Sequence, residues 1–227
     1  MTRAEEIAER LRSAGNEKTL AIMAKSGIAT AHAAGVPMRV VRGIAMQIHR
    51  DHALALELWD TGLHEARILA TIVADPARVP DALLEKWGAD CNSFDLTDHC
   101  CQNLFWRTAY AWTKAEEWSD RPEELVKRAA FVLQAVLTLR RKDADEAQFL
   151  SFLPLIRREA ADPRKHVRTG ISWALRNAGR VSPTLRTACR ELAEELAAHD
   201  AGPARTIGRQ ALRAFAKLPP REDQPAG

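Results

Sequence analysis

Apolar residues recur along this chain at every third or fourth position, and almost nowhere at every second. That spacing predicts helices with one buried face, not strands. In residues 123–141, Leu125, Ala129, Val132, Val136 and Leu139 fall on one helical stripe. In 182–198, Leu185, Cys189, Leu192 and Leu196 do the same. β-Branched residues are sparse and Ala is abundant, which favours helix again. The periodic runs break at Gly15-Asn16, Gly35-Val36-Pro37, Asp75-Pro76, Arg121-Pro122, Asp162-Pro163, Ser182-Pro183 and Gly202-Pro203. Several of these put Pro in a first helical turn, where its missing N–H costs nothing. The expectation is about a dozen helices of roughly 10–19 residues, joined by short turns.

Short helices with short connections form antiparallel pairs, either in a closed bundle or in an open stack. The segment ADPRKHVRTGISWALR (161–176) favours the stack. Its Asp-Pro turn, Val-Arg and small apolar face resemble the second helix of a HEAT repeat, and ADPARVPDALLEKW (74–87) repeats the opening less fully. Arg128, Arg168 and Arg205 stand 40 and 37 residues apart, close to the HEAT period. The fold class expected is all-α: a HEAT-like α-solenoid of antiparallel helix pairs, with one helix of each pair lining a concave face. One domain is expected over residues 1–217, with a flexible tail over 218–227.

Composition narrows the function. The chain has 227 residues, 46% of them hydrophobic and 28% charged, which suits a soluble globular protein. No 18-residue apolar run exists, so no membrane span is expected, and the charged N-terminus does not look like a secretion signal. Four cysteines are too few and too clustered for a disulfide framework, so a cytoplasmic setting is expected. Residues 1–120 carry 13 basic and 17 acidic side chains (net −4), whereas residues 121–227 carry 20 and 13 (net +7). A basic second half points to a polyanionic partner, although solvated helix faces give the same count.

Four segments occur in a set order: GVPMRVVRGIAMQIHRDHALALELWDTGLHEARILATIVADP (35–76), SFDLTDHCCQNLF (93–105), ELVKRAAFVLQ (124–134) and HVRTGISWALRNAG (166–179). The series resembles the DNA alkylation repair family of AlkD-like DNA glycosylases over roughly residues 4–216. The most specific features are LWDTGLHEAR (58–67) and an aromatic–Asp–x–x–Asp helix followed later by Trp-x-x-Arg. The resemblance implies a monofunctional enzyme that excises N3- or N7-alkylated purines from double-stranded DNA without flipping the base. It implies that the concave groove is basic, and it implies no metal and no cofactor. A monomer is expected. By the resemblance, Asp98 falls on the catalytic carboxylate, and Phe94 and Trp173 on the two aromatics that contact the lesion. Arg128 and Arg176 fall on DNA-contacting arginines, with Lys127 and Arg168 expected beside them. Active members carry Trp where this chain has Phe94.

The residues themselves fit that chemistry. Phe94 and Asp98 are one helical turn apart and share a face, with Ser93 a candidate N-cap and Asp95 in the first turn. Trp173 and Arg176 also share a face. Loss of a cationic purine builds positive charge on the sugar, which a carboxylate stabilises while it orients water. An aromatic ring attracts the cationic base through its face, Phe less strongly than Trp. Arginines on phosphates fix the backbone and read no sequence. Cys91, His99, Cys100 and Cys101 have no zinc-ligand spacing and read as buried core. Glu65 and Arg67 read as structural, and Trp59, Trp87, Trp106, Trp112 and Trp118 as packing between helices. Lys114 and the run Arg140-Arg141-Lys142 are candidate phosphate contacts or solvated helix ends. Two other functions stay open on the same scaffold. One is a non-catalytic binder of damaged or branched DNA, favoured by Phe94; the other is a protein-interaction scaffold.

Overall fold

The computed structural model describes residues 1–218, and the tail expected after Leu218 lies outside the described residues. Among the described residues every regular element is helical, as the apolar spacing predicts. All seven expected breaks fall between helices or at helix starts. The helices are often shorter than expected, from 5 to 17 residues. The chain gathers into two compact units, residues 1–111 and 112 onward.

The first unit contains α1 (Arg3–Ser13), α2 (Glu17–Lys25), α3 (Met38–Ile48), α4 (His52–Asp60), α5 (His64–Val73), α6 (Asp81–Asp90) and α7 (Phe94–Asn103). Local chemistry starts several of them. Thr2 and Glu5 form a capping box on α1, and the Asn16 and Asp51 side chains cap α2 and α4. Helices α4 and α5 form an antiparallel pair across Thr61-Gly62-Leu63, where Gly62 takes φ +70°. Helices α3, α5 and α7 lie side by side and point the same way. At their starts, the Glu65 carboxylate accepts the backbone N–H groups of Ala34, Gly35 and Val36 at 3.0, 2.7 and 3.1 Å. Pro37, the N-cap of α3, makes no side-chain cap, so a residue of α5 satisfies the backbone just ahead of it. At the far ends, the Asn103 amide donates to Thr71 Oγ1 at 2.9 Å.

Arg67 confirms its structural reading. Its guanidinium donates to the carbonyls of Trp59 and Asp90 and lies 5.1 Å from the Trp59 ring centre. Trp59 in turn stacks on Trp87, with ring centres 4.1 Å apart and planes within 4°. The Trp59 indole N–H donates to Asp90 Oδ2 at 2.9 Å.

The second unit contains α8 (Ala111–Glu117), α9 (Glu124–Arg140), α10 (Glu146–Leu150), α11 (Phe152–Glu159), α12 (Lys165–Ala178), α13 (Pro183–Ala197) and α14 (Gly202–Phe215). Here α9, α12 and α14 lie side by side and parallel. Arg128 of α9 meets the first turn of α12, and Phe131 packs over Gly170. Ser172 of α12 meets Gln210 of α14. The single apolar stripe expected on α9 is a correction: every residue from Val126 to Thr138 is buried, whereas Leu139, placed on that stripe, is 44% exposed. Neighbours on several sides bury α9 all round, which a one-face pattern does not anticipate. The stripe on α13 holds, with Leu185, Cys189, Leu192 and Leu196 all buried.

Helices α13 and α14 are antiparallel and approach closely at Gly208. A Cβ there would lie 2.4 Å from Ala197 N and 2.5 Å from Ala193 O. At Gly202, the first residue of α14, a Cβ meets open space. Gly208→Ala is therefore expected to destabilise the protein by about 1–3 kcal/mol through overpacking, despite the better helix propensity of Ala. Gly202→Ala is the control and should be neutral or slightly stabilising. Denaturant midpoints measured side by side check both; equal midpoints would remove the close-approach account.

Candidate functional site

Helix α7 carries the first group of candidates. Leu96, Thr97, Cys100 and Cys101 form its buried face. Phe94, Asp95, Asp98 and His99 form the opposite, half-buried face. Phe94 and Asp98 therefore come together as the sequence predicts. Ser93 is a correction. It has N-cap backbone geometry, but its side chain does not cap the helix.

The two carboxylates of this helix have different surroundings. Asp95 Oδ2 lies 3.0 Å from His64 Nε2, at the start of α5. A carboxylate only accepts, so Nε2–H donates, and Nδ1 is the buried ring nitrogen without a partner. Burial pushes the Asp95 carboxyl up, but the hydrogen bond and positive field of His64 outweigh it and hold the group below the ordinary Asp range. Asp95 is thus committed to joining α7 to α5, while Asp98 shares the outward row with Phe94. Burial lowers the affinity of His99 for a proton, nearby Asp95 opposes this, and His64 and Arg42 reinforce it.

The other candidates lie in the second unit. Trp173 is half-buried on the solvent-facing row of α12, with Thr169 before it and Arg176 and Arg180 after it. Trp173 and Arg176 come together as predicted. Arg168 is half-buried on the same helix. Arg176 donates from Nε to the Ser172 carbonyl at 3.0 Å. Burial and then the neighbouring Arg180 lower its proton affinity.

Lys127 and Arg128 have other work. Lys127 is 8% exposed, and its ammonium lies 2.6 Å from Glu159 and 3.7 Å from Asp162. Its charge is matched inside the fold. Arg128 is 6% exposed and donates to the His166 carbonyl at 2.7 Å and to Thr169 Oγ1 at 2.9 Å. It ties α9 to the start of α12, the helix that carries Trp173. Both act as positioning residues here.

Of the remaining candidates, Lys114 is buried and paired with Glu117, and Arg141 is paired with Asp143. Trp59, Trp87 and Trp118 are fully buried, as packing residues should be. All four cysteines are buried and reduced. Burial pushes the Cys189 thiol up to about 12 and holds Cys100 well above its usual range, so neither is an activated nucleophile. Among the described residues no three His, Cys, Asp or Glu side chains are grouped to hold a metal ion. Sequence reading missed the cations around Arg176. Arg180, Arg213 and Lys217 join it only because α12 and α14 lie side by side.

The family described as DNA alkylation repair enzyme matches residues 7–215 of this chain. A solved structure is similar over 94% of this chain and 96% of its own, with a TM-score of 0.77 and 19% identity. It is described as a new family of proteins related to the HEAT-like repeat DNA glycosylases, with affinity for branched DNA structures. That likeness places the chain in the HEAT-like helical fold. No curated protein matches the chain.

The depressed His99 makes a prediction about pH. In the folded protein its pKa is below the ordinary 6.5, so the unfolded chain takes up the proton first as pH falls. Its stabilising contribution is complete above that value and is lost below it. His52, also depressed by burial, adds the same sign. Asp95 acts in a lower window, losing its contribution as pH falls beneath the ordinary Asp range. Urea midpoints should therefore drop between about pH 7 and pH 5, and drop less in His99→Gln. An identical drop in the variant would mean that His99 does not titrate as described.

Proposed function

The chain belongs to the DNA alkylation repair enzyme family, and on that footing we propose that it is a glycosylase excising N3- or N7-alkylated purines from duplex DNA. The observation that carries this reading is the outward row of α7. Phe94 and Asp98 share it one turn apart. An alkylated purine is cationic, so it leaves with the electron pair of the glycosidic bond as a neutral base. Positive charge then builds on the sugar, and the Asp98 carboxylate stabilises it and orients water toward C1′. Water adds its hydroxyl to that carbon and releases one proton. Phe94 supplies a ring face to the cationic base. Arg168 and Arg176 contact backbone phosphates, and Lys127 and Arg128 hold the helices that present these groups.

A second reading has its own support. The similar solved structure is described as having affinity for branched DNA, and this chain has Phe94 where active members of the family carry Trp. Both point to a DNA-structure binder without excision.

Single-turnover excision from a duplex with one N7-methylguanine separates the two. Asp98→Asn is expected to lose at least about 100-fold in rate, as for removal of a key electrostatic group, with duplex affinity nearly unchanged. Phe94→Trp is expected to raise the rate by strengthening attraction to the cationic base. Excision by Asp98→Asn at the wild-type rate would refute the role given to Asp98. Binding without excision by wild type would establish the second reading.

A further inference from the structure

Among the described residues, the second unit has a concentration of positive charge at the ends of two helices. Helices α12 and α14 are pinned together where Ser172 Oγ donates to Gln210 Oε1 at 2.7 Å. About one turn further on, Arg176 and Arg180 from the end of α12 and Arg213 and Lys217 from the end of α14 line one open cavity of about 540 Å³. No Asp or Glu among the described residues lines it. Five other cations of this unit, Lys127, Arg141, Arg157, Arg158 and Arg164, each have a carboxylate within 4 Å.

A helix C-terminus favours a nearby cation, which accounts for one or two charges at each end. It does not account for two such ends meeting on one cavity. Four like charges within a Debye length repel, and the repulsion is relieved when an anion occupies the space between them. Guanidinium groups match phosphate oxygens in pairs, and the Gln210 side chain adds a polar contact. The cavity is open, so it suits a strand passing across it better than an enclosed small molecule.

We propose that this cavity is a backbone-phosphate site for duplex DNA, formed by Arg180, Arg213 and Lys217 with Arg176. The proposal rests on the DNA-binding reading above and gives it residues to which the family resemblance assigned nothing. The grip is independent of any lesion. It holds undamaged and alkylated duplex alike, and it reads no sequence.

The test uses the full chain, with Arg180→Ala/Arg213→Ala beside wild type and Arg209→Ala as control. Arg209 is exposed on α14 and lies outside the cavity lining. Affinity for an undamaged duplex is measured across salt concentrations. Each lost phosphate contact flattens the log–log salt slope by about 0.9, so the double variant should be shallower by roughly 2 and the control unchanged. In parallel, inorganic phosphate should raise the wild-type Tm above chloride at equal ionic strength, and should not do so in the double variant. A wild-type slope in the double variant overturns the site. A phosphate response without any duplex binding by wild type overturns DNA as its ligand, and with it the DNA-binding reading. Loss of excision in Asp98→Asn leaves both measurements untouched, so the two proposals fail separately.

Discussion

The second unit depends on the seam between α9 and α12. Helix α9 is buried all round, so its stability comes from its neighbours and not from a solvent-facing polar side. Phe131 packs over Gly170, where the two helices are close enough that an added Cβ would touch the Phe131 Cβ at 3.4 Å. Around this apolar contact the polar groups close in pairs. Lys127 reaches Glu159 and Asp162, Arg128 reaches the first turn of α12, and Glu124 accepts the His166 N–H at 3.2 Å. Removing one partner of a buried pair such as Lys127–Glu159 costs about 3–5 kcal/mol, because the other charge is stranded. The seam sets where α12 lies, and hence where Trp173 and Arg176 lie.

The first unit solves the same problem with different chemistry. Its parallel helices are short, and their starts are tied to one another by side chains, not by caps of their own. Glu65 satisfies three backbone donors ahead of α3, and His64 holds Asp95 at the start of α7. Consecutive residues of α5 thus set both of its neighbours. The face of α7 that carries Phe94 and Asp98 is oriented by this tie, so the carboxylate assigned to chemistry is placed by one assigned to structure.

Much of this is local and was legible in the sequence. Asn16 and Ser182 cap helices where the pattern breaks, and the α13 stripe is buried as read. Arg128, Arg168 and Arg205 fall at corresponding early positions of α9, α12 and α14, as a repeat of HEAT length requires. What was not legible depends on pairing across tens of residues. Lys127 looks like a surface cation until Glu159 and Asp162 are beside it. The tie from Arg128 to the carbonyl of His166 is likewise invisible until α9 and α12 are side by side. Ser93 has the residue type of a cap without acting as one. The four cations at the ends of α12 and α14 are ordinary helix termini until those helices are set side by side.

The stack of Trp59 on Trp87 has a use beyond packing. Two indoles held nearly coplanar at 4.1 Å couple their electronic transitions, and an isolated indole has no such signal. In the second unit Trp112 packs against Phe149 and Phe152. The stack gives the first unit an optical signature in its circular dichroism. Disappearance of that couplet reports the melting of one unit without any added label, and comparing it with total helix signal shows whether the chain comes apart in one transition or in two.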